Sequence, residues 1–271
     1  MFGTAILMST LTAILLAVGF VLGGLAGTSI AFLLALVING VSYWYSDRIV
    51  LSLYRAQPLK GEHLTQLVKR LCQDAKLPAP KLYLIKEKAP NAFATGRSPR
   101  HSAIAVTEGL LELEEEEIAG VLAHEIGHIA NRDMLVSTMA ATIAGAIAWI
   151  AQIGYYSSGG RDKQSLLPLI LIVIFAPLAA MFIRLAISRS REYGADRYSA
   201  MLTRNPKGLA AALKKIALTS GRHPIRGPSA TSHLWIANPF REDWFTGIFS
   251  THPPITKRVQ ILEEMAKGKM K

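Results

Sequence analysis

The sequence predicts a mainly α membrane protein, in which transmembrane helices carry an α+β domain with a small antiparallel sheet. One observation is compositional: hydrophobic residues make up 51% of the 271 residues, while charged residues make up only 18%. The formal net charge is nevertheless +11, so apolar and basic residues must be concentrated in different parts of the chain. The other observation is that long apolar runs alternate with segments that have the spacing of amphipathic helices and short strands.

The first 46 residues are expected to form two transmembrane helices. Residues 4–26 are almost wholly apolar, and about 20 such residues suffice to cross the hydrocarbon core as a helix. A second run, 29–41, leads into a group of aromatic residues typical of a membrane interface, before Asp47 and Arg48. The turn between them is expected at Gly23, Gly24 and Gly27. A cleaved signal peptide is the alternative, but no basic region precedes the first run.

Residues 47–133 have the pattern of the first part of a domain outside the bilayer. Apolar residues at helical spacing predict a helix over 61–75, ended by two prolines. Short strands are expected at 81–85, 91–95 and 102–106, the last two flanking a turn. A further helix over 108–130 begins with a run of glutamates that face its positive dipole end.

Two more apolar runs, 134–156 and 165–187, predict a third and a fourth helix, which form a transmembrane hairpin over about 134–184. The alternatives are a hairpin buried in the soluble domain and a hairpin lying only partly in the bilayer. Residues 185–271 then complete the domain begun at 47–133, with a helix over 206–218, a Pro- and Gly-rich loop and an amphipathic helix from Ile255. Arginines flanking the apolar runs place this domain in the cytoplasm.

The basic charge and the cysteine count limit the possible partners and sites. No nucleic-acid-binding motif accompanies the positive charge, so we expect lipid headgroups rather than nucleic acid as its partner. Cys72 is the single cysteine, which excludes an internal disulfide and a cysteine-based metal cluster.

The candidate catalytic residues are His124, Glu125 and His128, which form the pattern His-Glu-x-x-His on a predicted helix. At 3.6 residues per turn the two histidines lie on one face, where both imidazoles can bind one metal ion. This pattern is the signature of zinc peptidases, although three fixed positions also recur by chance. A zinc site also needs a third protein ligand and an open position.

The third ligand is expected after the fourth apolar run, because both soluble segments lie on one side of the membrane. Glu192 and Asp196 are four residues apart and share a helix face. Glu192 can then bind the metal, and Asp196 can accept a hydrogen bond from a ligand histidine. A solvated helix held by salt bridges is the alternative.

Several motifs in one order resemble the HtpX-type membrane zinc metallopeptidases, gluzincins related to the eukaryotic prenyl-protein endopeptidase. The motifs are Asn-Ala-Phe-Ala-Thr-Gly at 91–96, His-Glu-Ile-Gly-His at 124–128, Arg-Glu-Tyr-Gly-Ala-Asp at 191–196 and Ser-Thr-His-Pro-Pro at 250–254, followed by Arg258. The resemblance implies a multi-pass protein of the bacterial inner membrane, with its active site facing the cytoplasm. Its substrates would be unfolded polypeptides and misfolded or damaged membrane proteins.

The resemblance and the motif chemistry together imply a zinc metalloendopeptidase with one Zn²⁺ per chain. His124, His128 and Glu192 are the expected ligands, and Glu125 is the expected general base for a zinc-activated water. By resemblance, a substrate would pair with the edge strand at Asn91, Ala92, Phe93 and Ala94. Candidate donors to the oxyanion are His252, Tyr193 and Arg197, and a structural role for His252 is equally compatible with its flanking prolines.

Three other functions compete with this interpretation. A prenyl-protein-type endopeptidase would cut inside a membrane chamber, which four spans do not favour. A non-enzymatic zinc-dependent scaffold or sensor would have no use for Glu125. A site-two-type intramembrane protease would hold its zinc within the bilayer, and the glutamates before His124 argue against that position. The sequence does not indicate an oligomeric state.

Overall fold

The computed structural model describes residues 2–140, 189–220, 225, 229–237 and 253–268. Short 3₁₀ turns lie at Glu108–Glu112 and Ser229–Leu234, and residues 134–140 are helical. The helices and strands, labelled in chain order, are α1 (Phe2–Leu53), β1 (Gln57–Pro58), α2 (Glu62–Asp74), β2 (Lys81–Ile85), β3 (Ala92–Ser98), β4 (His101–Thr107), α3 (Glu115–Asn131), α4 (Arg189–Thr203), α5 (Pro206–Ser220) and α6 (Ile255–Ala266).

Helix α1 folds back on itself at the predicted glycine turn. Gly24 has φ 58° and ψ −141°, a backbone conformation that glycine adopts without the steric cost of a Cβ. The two arms then pack together, and Asn39 Nδ2 donates a hydrogen bond to Thr12 Oγ1 across 2.9 Å. The second arm, Gly23–Leu53, is long and apolar enough to cross a membrane. Most of the third and fourth apolar runs lie outside the described residues.

The sheet is mixed, so the expectation of a purely antiparallel sheet was wrong. Its strand order is β1-β2-β4-β3. Strand β3 pairs with β4 as an antiparallel hairpin, and β1 pairs with β2 in the same way. Strand β4, however, inserts between β2 and β3 and runs parallel to β2, with Lys81 opposite Ala103. This topology leaves β3 at the edge of the sheet.

The alternating side chains of β3 and β4 separate two apolar clusters, as the period of two in a strand requires. On one face, Ala92, Ala94, Ile104 and Val106 pack against α2 and α3. On the other face, Phe93, Ala103 and Ala105 pack against the end of α1 and against Trp235. The sheet therefore lies between α3, which carries the His-Glu-x-x-His pattern, and the last turns of α1.

Close packing at Gly120 joins α3 to helices α4 and α5. Ser199 Oγ on α4 donates a hydrogen bond to the Gly120 carbonyl over 2.7 Å. A Cβ at position 120 would lie 2.6 Å from the backbone nitrogen of Leu209 on α5. Because glycine permits this approach, the backbone of α5 can pack directly against α3.

We expect Gly120→Ala to lower the free energy of unfolding by about 1–3 kcal/mol, because the methyl group collides with the α5 backbone. Gly194→Ala on α4 is the matched control, since no described residue beyond its own stretch of helix lies within 4 Å of the added Cβ. The higher helix propensity of alanine should raise the free energy of unfolding of Gly194→Ala by about 1 kcal/mol. Thermal unfolding of both variants in detergent checks the prediction, which fails if the two variants are equally stable.

Candidate metal centre

Helix α3 places His124 and His128 on successive turns, as the motif predicts. The His124 side chain is fully buried, and the His128 side chain is 16% exposed. Their Nε2 atoms lie 3.2 Å apart and face each other. Two imidazole nitrogens this close are suited to sharing a third group between them.

Helix α4 adds the Glu192 carboxylate to this pair. Glu192 Oε1 lies 3.4 Å from His128 Nε2, and Glu192 Oε2 lies 3.7 Å from His124 Nε2. One donor atom from each residue falls within 4.8 Å of the other two. Tetrahedral zinc with bonds of about 2.0–2.1 Å places its ligand atoms about 3.3 Å apart. The three side chains therefore fit one zinc ion in both spacing and ligand chemistry.

Asp196 lies one turn after Glu192 and orients His124. A carboxylate can only accept, so His124 Nδ1–H donates to Asp196 Oδ1 over 3.0 Å and leaves Nε2 with its lone pair facing the site. Burial lowers the pKa of His124 to about 4, which keeps the imidazole in its neutral, ligand-competent form.

Arg258 on α6 completes this buried group, although Arg258 is 62 residues from Asp196 in sequence. Its Nε and Nη2 donate to the two Asp196 carboxylate oxygens over 2.8 and 2.7 Å, and its Nη1 donates to the Ile236 carbonyl over 2.6 Å. Burial alone would raise the pKa of Asp196, but the Arg258 charge and its hydrogen bonds lower that pKa to about 2. Asp196 is thus held as a carboxylate in front of His124.

A second acidic residue, Asp133, holds the other histidine. Asp133 Oδ2 lies 3.5 Å from His128 Nδ1, and Arg191 Nη1 lies 3.7 Å from Asp133 Oδ1. Burial acts to lower the pKa of His128, but Asp133 and Glu192 outweigh it and raise that pKa to about 10. The carboxylates around this imidazole therefore favour a positive charge at the site, and metal binding there displaces a proton.

Glu125 is 1% exposed and lies beside the three candidate ligands. Burial raises the pKa of its carboxyl to about 7, a value suited to a general base near neutral pH. Glu125, His128 and Glu192 line one cavity of about 30 Å³, together with Ala94 and Ile236. A cavity of this size has room for one or two water molecules.

Strand β3, with which substrate is expected to pair, lies at the edge of the sheet, but residues 236 and 237 already bond to part of that edge. Asn91 Oδ1 accepts from the Ala92 amide, and Asn91 Nδ2 donates to the Ala237 carbonyl over 3.0 Å. The Ala92 carbonyl accepts from the Ile236 amide over 3.1 Å. Phe93 is buried on the opposite face of the sheet, and Ala94 lines the cavity.

The three candidate oxyanion donors are not brought together among the described residues. Tyr193 is half-buried and Arg197 is exposed on α4, and neither lines the cavity. His252 lies outside the described residues.

Sequence reasoning assigned no role to Arg258, Asp133 or His233, all of which contact or line the site. Arg258 carried two signals: it follows the last of the motifs that resemble the family, and it occupies the apolar stripe of α6 between Ile255 and Leu262. The other two residues sit in loops or turns, where no periodic pattern marks them.

Comparisons with known proteins agree with this geometry. The model of Peptidase family M48 matches residues 58–266. A Protease HtpX homolog from Syntrophobacter fumaroxidans is 49% identical, with 97% of this chain and 99% of that protein covered. A Protease HtpX homolog from Thermococcus sibiricus is 45% identical, with coverage of 98% and 96%.

The fold also resembles a solved structure. The crystal structure of S. mikatae Ste24p matches with a TM-score of 0.50 at 21% identity, covering 85% of this chain. The chain spans 57% of the length of that protein. The family resemblance expected from the sequence motifs is thereby confirmed. The family model covers most of the chain and the relatives match nearly its whole length, so this protein belongs to peptidase family M48 and is a metalloendopeptidase.

Proposed function

We propose that the chain is a membrane-anchored zinc endopeptidase with one Zn²⁺, which hydrolyses peptide bonds of misfolded or damaged membrane proteins. The observation that carries the proposal is the meeting of His124, His128 and Glu192 beside the buried carboxyl of Glu125. A purely structural zinc site would need a fourth protein ligand and would gain nothing from that carboxyl.

The roles of the residues follow from their contacts. His124, His128 and Glu192 would hold zinc, which supplies a Lewis acid and lowers the pKa of a bound water. Glu125 accepts a proton from the attacking water as the water oxygen bonds to the scissile carbonyl carbon. Glu125 then delivers this proton to the amide nitrogen as the carbon–nitrogen bond breaks. Asp196 keeps the His124 imidazole oriented through the reaction.

The developing oxyanion needs a donor besides the metal, and His252, Tyr193 and Arg197 remain the candidates. Exposure makes Arg197 the weakest of the three. We also propose that substrate pairs with the edge of β3. Since the Ala92 carbonyl is already bonded to Ile236, pairing would begin at Ala94.

The proposed membrane placement rests on the surface of α1. Its second arm exposes large apolar side chains, including Leu25 at 81% and Val37 at 62%. Arg97 of β3 lies over the Trp44 ring, 4.5 Å from its centroid, which holds the sheet next to the aromatic end of the apolar run. We propose that residues 1–46 and 134–184 span the inner membrane, and that 47–133 and 185–271 form the cytoplasmic domain.

Removal of the metal is the direct test. A chelator is expected to abolish cleavage of casein and of a membrane-protein substrate, and one equivalent of zinc is expected to restore it. Zinc content by mass spectrometry and cleavage by gel assay check the prediction. Full activity in metal-free protein contradicts the proposal. One bound zinc with no cleavage of any polypeptide favours the scaffold or sensor instead.

A further inference from the structure

Residues 229–237, called the strap here, form one wall of the catalytic cavity. The strap begins with the 3₁₀ turn Ser229–Leu234 and continues through Ala237. Within it, the consecutive residues 233–236 line the same cavity as Glu125 and His128. His233 Nε2–H donates to the Ser137 carbonyl over 3.0 Å, which ties the strap to the helical segment 134–140.

The strap is attached to the end of the membrane helix by Tyr54, the residue directly after α1. Trp235 Nε1 donates to the Tyr54 hydroxyl over 3.1 Å, and that hydroxyl also forms a hydrogen bond with Thr231 Oγ1. The Tyr54 and Trp235 rings meet edge to face with centroids 5.0 Å apart. Trp235 packs in the same way on Phe93 of β3, at 4.9 Å. Both hydrogen bonds are buried, so each contributes to holding the strap in place.

The strap in turn contacts the group that orients the metal ligands. The Ile236 amide donates to Ala92 on the sheet edge, and the Ile236 carbonyl accepts from Arg258. Arg258 donates two hydrogen bonds to the Asp196 carboxylate, which accepts a third from His124. A continuous series of contacts therefore runs from the end of the membrane helix to a candidate zinc ligand.

We propose that Tyr54 is a positioning residue, which fixes the strap from the end of the membrane helix and thereby sets the wall of the substrate cleft and the place of Arg258. That substrate binds in this cleft rests on the proposed peptidase function. The end of α1 and the catalytic centre are then connected through the strap. The hydroxyl of Tyr54 therefore affects substrate binding, although it touches neither substrate nor metal.

The test compares Tyr54→Phe with Tyr83→Phe in the full-length, zinc-loaded protein. Tyr83 is half-buried and packs on the same apolar cluster, so the control removes a hydroxyl with no described bond to the strap. Hydrogen exchange of peptides covering 229–237 should accelerate about tenfold in Tyr54→Phe, because two buried hydrogen bonds are lost. One zinc ion should remain bound. The KM for a peptide substrate should rise by about tenfold, with a smaller fall in kcat, because the wall contacts substrate.

Thr231→Val, which nearly keeps the shape of the side chain but removes the hydroxyl that bonds Tyr54, is the second variant and tests the inference if Tyr54→Phe fails to fold. Exchange and KM values equal to those of Tyr83→Phe would overturn the inference. If the wild-type protein binds no zinc or cleaves nothing, the proposed function fails, whereas the exchange measurement still decides whether Tyr54 holds the strap.

Discussion

Glu125→Gln is expected to lower kcat/KM for peptide hydrolysis by about 10³-fold while one zinc ion stays bound, because the amide cannot accept the proton of the attacking water. The glutamine keeps the size of the side chain, and Glu125 is not among the residues that can hold the metal. Cleavage of casein and of a membrane-protein substrate, with zinc quantified in the same samples, measures both quantities.

The matched control is Glu115→Gln, a change of the same kind on an exposed position of the same helix. It should leave kcat/KM within about twofold of wild type. Wild-type activity in Glu125→Gln would contradict the assignment of Glu125 as the base. Loss of zinc in that variant would show that the carboxyl acts on the metal instead.

Arg258→Met is expected to lower the free energy of unfolding by about 3–5 kcal/mol, because it leaves the Asp196 charge buried and uncompensated. It should also weaken zinc binding about 10- to 100-fold, since Asp196 orients the ligand His124. Unfolding in detergent and zinc competition with a chelating dye measure the two effects.

Lys214→Met provides the control for this prediction. The Lys214 ammonium lies 2.6 Å from Glu263, about as close as Arg258 lies to Asp196, but the pair is exposed. Because solvent screens this exposed pair, its loss should leave the free energy of unfolding close to that of wild type. If the two variants are equally destabilised, burial does not explain the contribution of the Arg258–Asp196 pair to the free energy of unfolding. Arg258→Lys separates charge from geometry, because lysine keeps the charge but cannot make the bidentate contact.

Local spacing explains what could be predicted from the sequence. His124 and His128 at i and i+4, and Glu192 and Asp196 at i and i+4, each define one helix face, and the structure places the two faces against each other. The turn in α1 was predictable because glycine is tolerated where φ is positive. These inferences needed only helix periodicity and backbone sterics.

Contacts distant in sequence explain what could not be predicted. Strand β4 lies parallel to β2 because it inserts beside it after the hairpin, and strand order is not encoded in the alternation of any one strand. Arg258 reaches Asp196 across 62 residues, and an arginine on an amphipathic helix usually faces solvent. Trp235 binds Tyr54 at the end of α1 across 181 residues, a contact that no local pattern marks.

The position of the metal tests the central claim most directly. Crystals of the zinc-loaded protein, measured on both sides of the zinc absorption edge, should show one anomalous peak per chain. The account predicts that this peak lies about 2.0–2.1 Å from His124 Nε2, from His128 Nε2 and from a Glu192 carboxylate oxygen. A stoichiometric zinc peak elsewhere, or one bound without Glu192, would contradict it.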